Sequence, residues 1–190
     1  VRFWIDAFTV NQHEAITFPQ KWWSSRFMQV IGDMGHVILV LEPWHDPVPL
    51  KRAWVIWEIY CASMTGARLY FSMTKDTLTD FRSALENSFE QVEMGLSKID
   101  VSSSTASLKR DQEMIHAEIK QNAGFVKMNE LVNTRVKEWL EEMGKDCLKE
   151  MREKEKDNSS VSAKRVSAKR MHLQDNLARL IRENGKPHEA

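Results

Sequence analysis

Two carboxylates stand where a carboxylate is costly. Asp6 interrupts an otherwise apolar strand pattern whose end is Trp4–His13, W-I-D-A-F-T-V-N-Q-H. An Asp in a buried strand needs hydrogen bonds or a place at the strand's C-terminal edge, and ligands of open α/β sheets bind at those edges. Asp6 is therefore a candidate ligand-binding residue, or an Asp that ties down the following loop through backbone N–H groups. Glu58 lies in Pro49–Cys61, P-L-K-R-A-W-V-I-W-E-I-Y-C. On a helical wheel Leu50, Ala53, Trp54, Trp57, Cys61 and Met64 share one face, while Val55, Ile56 and Ile59 make the other side apolar as well. Glu58 is the only carboxylate of this helix and follows Trp54 by one turn. A carboxylate against tryptophan rings has a raised pKa unless a cation such as Arg52 compensates it. Perturbed carboxylates mark functional sites and structural ion pairs alike.

Other chemistries lack their residues. No glycine loop of either common phosphate-binding type occurs, and no Ser sits in a G-x-S-x-G turn. The six histidines show no paired ligand spacing, so no metal is expected. Two cysteines, Cys61 and Cys147, exclude a disulfide scaffold and suit a reducing, cytoplasmic setting. With 27 basic and 27 acidic residues the chain has no net charge to grip nucleic acid. The longest apolar runs, such as Val37–Leu41, are too short to span a bilayer.

The elements that must position Asp6 and Glu58 follow from pattern. Residues 2–10 read as a buried strand and 11–19 as a loop. Residues 20–31 read as a helix stopped by Gly32, and 36–41 (H-V-I-L-V-L) as a strand buried on both faces. After a proline-rich loop, residues 50–65 read as a helix ended by Gly66, and 67–72 as a further strand. Asp76 or Thr77 is expected to cap a helix running to about Met94. A serine-rich loop follows, with a short strand at 98–101, then helices over 108–122 and 125–156. The last of these carries the stripe Phe125, Met128, Leu131/Val132, Val136, Trp139/Leu140 and Met143. Six of seven tryptophans fall in the first 57 residues, which places the expected core there. The alternation is that of an α/β protein with a parallel sheet. The absence of an initiator Met and the shortage of strands suggest a fragment lacking upstream elements.

Residues 151–190 carry ten basic and six acidic side chains and contain the duplication V-S-A-K-R-V-S-A-K-R, 161–170. This reads as a solvated linker; the functional alternatives are a basic peptide for an acidic partner, or phosphorylatable serines. Residues 172–184 form a short amphipathic helix through Leu173, Leu177, Leu180 and Ile181. The expected division is 1–72, an α/β core; 73–157, a helical extension; and 158–190, a linker and short helix.

W-I-D-x-x-x-V-N-Q resembles the W-I-D-x-L-C-I-x-Q signature of fungal heterokaryon-incompatibility (HET) domains, with Phe8 and Thr9 in place of Leu and Cys. P-L-K-R-A-W-V-I-W-E is similar to their P-L-x-x-R-x-W-x-x-Q-E, with Trp57 for Gln. It is also similar to the S-x-W-C-x-x-E helix of Toll/interleukin-1-receptor (TIR) domains, with the Ser absent and Val55 for Cys. Both overlays put their Glu on Glu58. The resemblance covers about residues 3–72 and is strongest to TIR/HET-like segments of large multidomain protist and algal proteins. It implies a partial flavodoxin-like (TIR-like) parallel sheet followed by a helical extension, and an intracellular signalling or cell-death role through homotypic assembly. It also implies, as an alternative, cleavage of the nicotinamide–ribose bond of NAD⁺ as substrate, with Glu58 catalytic and Asp6 and Trp54 lining the site. An anion there would stabilise an oxocarbenium-like transition state. A helical adaptor acting through residues 108–184 is a third expectation.

Overall fold

The structure is a computed structural model and describes residues 19–96, 99–157 and 161–184. The expected strand at 2–10, with Asp6, lies outside the described residues.

Helix α1 (Gln20–Met34) runs through Gly32 rather than stopping there. Its end is Gly35, whose φ of 69° is the left-handed conformation that favours glycine, with its N–H bonded to Ile31 O. Strand β1 (His36–Val40) follows, then a loop with a cis Glu42–Pro43 bond and a 3₁₀ turn at Val48–Lys51. Helix α2 (Ala53–Thr65) begins three residues later than its apolar pattern suggests. Arg52 is held extended because the backbone there bridges to Thr105: Ala53 N–H donates to Thr105 O and Thr105 N–H to Lys51 O, both at 2.8 Å. Gly66 ends α2, and strand β2 (Arg68–Ser72) pairs parallel with β1, His36 opposite Arg68 through Val40 opposite Ser72.

Among the described residues the sheet has these two strands, joined by α2 as a crossover. The described chain is therefore mostly helical with a small parallel sheet and a helical C-terminal part. The apolar run in β1 is not buried on both faces. Leu39 points into the core, while Ile38 and Val40 are 54% and 49% exposed, and Tyr70 on β2 is 44% exposed. The packed helices lie on the Leu39 face: α1 and α2 both contact β1, and Phe71 of β2 meets Trp139 at 5.4 Å.

The expected single helix to Met94 is two, α3 (Lys75–Asn87) and α4 (Phe89–Leu96), separated at Ser88, which leaves the helical conformation at φ −151°. Thr74, not Asp76 or Thr77, caps α3, accepting from Thr77 N–H. Residue 101, placed in a short strand by its pattern, opens a 3₁₀ turn, Val101–Ser103, capped by Asp100. Helix α5 (Lys109–Asn122) and the long α6 (Phe125–Asp157) meet the sequence expectation closely. Met128, Val132, Val136 and Leu140 are buried, and the stripe continues through Cys147 and Met151.

The largest departure is at the C-terminus. Residues 161–170 are not a linker but the first turns of α7 (Val161–Asn184). This helix packs along α6 and reaches α3. Leu173, Leu177 and Leu180 are buried as their spacing suggests, whereas Ile181 is exposed. Arg179 clasps Glu93 of α4 at 2.9 and 3.2 Å. Leu177 lies over Gly144, where a built Cβ would stand 2.6 Å from both Leu177 methyl carbons. Burial of α7 overrides the local charge pattern, and the core is one cluster from Phe27 to Leu180 rather than an N-terminal one. Leu177→Ala should therefore cost about 2–5 kcal/mol, the range for emptying a buried leucine site. A urea midpoint unchanged by this substitution would mean that α7 adds nothing to the fold.

Candidate functional site

Helix α2 is apolar on nearly every side because its neighbours surround it. Eight of its residues are buried, among them Ala53, Ile56, Trp57 and Cys61. Trp54 is half-buried in an aromatic cluster, stacked on Phe27 of α1 at 5.1 Å and edge-on to Trp23 at 6.5 Å. Met64, assigned to the same face by the wheel, is exposed at the helix end. The Trp57 ring stacks on Tyr60 at 5.1 Å, and its buried Nε1–H finds no acceptor among the described residues.

Glu58 is half-buried in the second turn. Because α2 starts late, it stands about 7–8 Å from the helix start at 1.5 Å per residue, nearer than a helix from Leu50 would place it. Trp54 lies one turn before it and Cys61 one turn after. Burial pushes the Cys61 thiol up to about 12, and the Glu58 charge adds to the rise. Cys147 is pushed up to about 11, again chiefly by burial. Both thiols are packing groups, as the apolar setting of Cys61 suggests.

The C-terminal edge of the sheet holds polar groups that no motif marks in the sequence. Glu42 directly follows the β1 run and accepts hydrogen bonds from the hydroxyls of Thr74 (2.7 Å) and Thr77. The Thr77 bond, then the Thr74 bond, holds its carboxyl below the ordinary value. Nearby, Trp44 Nε1–H donates to Asp80 at 2.7 Å, and Trp44 packs edge-on against Phe81. Two clefts flank the loop after β1. One, about 300 Å³, is lined by Asp46, Leu50, Lys51, Asp100, Ser103 and Thr105. The other, broad and about 520 Å³, is lined by Trp44, His45, Asp80, Ser83, Asn87 and Gln91. The available sequence signal for this edge was the carboxylate at the end of a strand pattern, L-V-L-E-P-W.

A second unforeseen pair is Ser104 and His116, with Oγ and Nε2 3.0 Å apart. This is the spacing of a nucleophile and its base. Ser104 has no exposed surface, however, so its hydroxyl has no route to a substrate. The bond fastens the loop that bridges to Arg52 onto α5. Nothing in the local sequence marks it.

The structure thus places Trp54 and Glu58 one turn apart on a packed helix, while Asp6 lies outside the described residues. Among the described residues no group of His, Cys, Asp and Glu could hold a metal ion, and no helix is long and apolar enough to cross a membrane. No protein-family model, no curated protein and no solved structure matches the chain.

The buried thiols give a pH dependence with a defined sign. A thiol whose folded pKa is raised keeps its full stabilisation below the unfolded value near 9. That contribution is lost as pH climbs from 9 towards 11 for Cys147 and 12 for Cys61. Urea midpoints should fall between pH 8 and pH 10.5, and Cys61→Ala should show a shallower fall than wild type. An equal slope in the two proteins would show that Cys61 ionises freely in the folded state.

Proposed function

We propose that this chain is an interaction module of the TIR/HET-like, flavodoxin-related kind and works by homotypic assembly through the open face of its sheet. The observation that carries the reading is a parallel sheet which, among the described residues, has packed helices on one face. Parallel sheets occur almost only with both faces covered, yet here Ile38, Val40 and Tyr70 present apolar surface outward. The occupant that fits this face is a second copy of the chain. Arg68 lies at the N-terminal end of the sheet, and Glu42, held ionised by two threonine hydroxyls, follows β1 at the other end. Two copies related by a twofold axis, with their strands opposed, set each Arg68 end against a Glu42 end while the apolar residues meet between them.

NAD⁺ cleavage at Glu58 draws less support. The residues around it, Trp54 stacked on Phe27 and Cys61 with its thiol driven up by burial, describe packed interior rather than a pocket for a nucleotide.

Sedimentation equilibrium of the full chain should show concentration-dependent self-association. Ile38→Lys combined with Tyr70→Lys should shift it to monomer without lowering the melting temperature, since exposed substitutions change stability by about 0.5 kcal/mol or less. Arg68→Glu should weaken association. A wild type that stays monomeric throughout would end the assembly reading, and nicotinamide release from NAD⁺ that disappears in Glu58→Gln would replace it with the hydrolase.

A further inference from the structure

The tandem V-S-A-K-R creates something in α7 that one copy would not. The four residues before Ser162, N-S-S-V, include no basic residue. In the second copy Ser167 follows Lys164, Arg165 and Val166, so the first copy supplies cations two and three positions N-terminal to it. Kinases select substrates by such charge patterns. Lys164 and Arg165 are exposed, so an acidic groove could engage them, and Ser167 is half-buried.

The position of Ser167 gives a phosphate there something to act on. Arg170 stands one turn further along the same face. Its Nε–H reaches both oxygens of Glu155 on α6, at 3.0 and 3.1 Å, and its Nη1 donates to Gln174 at 3.4 Å. Between Lys164 and His172 no residue is fully buried, Val166 being partly buried against the core; full burial begins at Leu173. The first turns of α7 can therefore lift from α6 while the three leucines hold the remainder, as local opening favours segments with little buried surface.

We propose that Ser167 is a phosphorylation site for a serine kinase selective for basic residues N-terminal to its target, and that the phosphate releases the first turns of α7 from α6 by taking Arg170 from Glu155. The proposal is independent of the sheet face. The Ser167 hydroxyl oxygen attacks the γ-phosphorus of ATP, the bond to the β–γ bridging oxygen breaks, ADP leaves, and the hydroxyl proton passes to the kinase's catalytic carboxylate. The phosphoserine carries a charge of about −1.5 to −2 and three acceptor oxygens. Arg170 and Lys164, each three residues away on the helix, can pair with it, and Glu155 is repelled by it.

The test uses the folded full chain, ATP and the catalytic subunit of a cyclic-AMP-dependent protein kinase, with site mapping by mass spectrometry and amide hydrogen exchange on the product. Phosphate is expected on Ser167 and not on Ser162. It should be absent from Ser167→Ala and incorporated about tenfold more slowly in Arg165→Ala. Exchange should accelerate over residues 164–172 and stay unchanged over 173–182. Failure of the folded chain to take up phosphate, or uptake at Ser162 instead, overturns the site. Uptake at Ser167 without faster exchange over residues 164–172 overturns the release.

Discussion

A helix that joins two adjacent parallel strands must cross back over the sheet, and here that obligation falls on α2. It lies on the Leu39 face of the sheet with α1, α5 and α6 packed around it. A polar stripe would have no water to face, which is why Ala53, Val55, Ile56, Trp57, Ile59, Tyr60, Cys61 and Ala62 are all buried. The other elements arrange themselves about this helix. The Trp23–Phe27–Trp54 cluster fixes α1 against it. On the far side, Phe71, Trp139, Phe81 and Trp44 form a second chain of rings joining β2, α6, α3 and the loop after β1.

The parts of this fold that were legible in sequence are those decided by periodicity within one element. The stripe of α6 and the leucines of α7 are of this kind, because spacing along a helix fixes which residues share a face. What was not legible depends on partners far along the chain. An unbroken apolar run such as H-V-I-L-V says that a strand is apolar, not which of its faces a helix will cover; Leu39 is covered and Ile38 is not. The basic repeat at 161–170 read as solvated because nothing in it is large and apolar, yet the leucines beyond it anchor the same helix, and Arg170 finds Glu155 on α6. At the candidate site, Trp54 and Glu58 were visible as an i, i+4 pair. Glu42 was not, since the two threonine hydroxyls that hold it come from the start of α3.

Helix α6 spans 33 residues, about 50 Å at 1.5 Å per residue. That is longer than the two-stranded sheet can support, and α7 covers the excess. Gly144 is the concession that lets the two helices approach. Glycine inside a helix costs about 1 kcal/mol relative to alanine, but any side chain there would occupy the space that Leu177 fills. The notch and the leucine together fix how far along α6 the shorter helix sits.

The backbone bridge between Arg52 and Thr105 carries an implication for the order in which this protein assembles. The first residue of α2 donates its N–H to a carbonyl that is synthesised only after β2, α3 and α4. During synthesis the body of α2 can coil as soon as it emerges, but its starting point has no partner to define it until the loop carrying Thr105 has arrived. Closure of that long loop is the non-local step whose entropy slows folding. The front of the central helix is thus fixed by a contact far along the chain, while its body is fixed by its own apolar sequence.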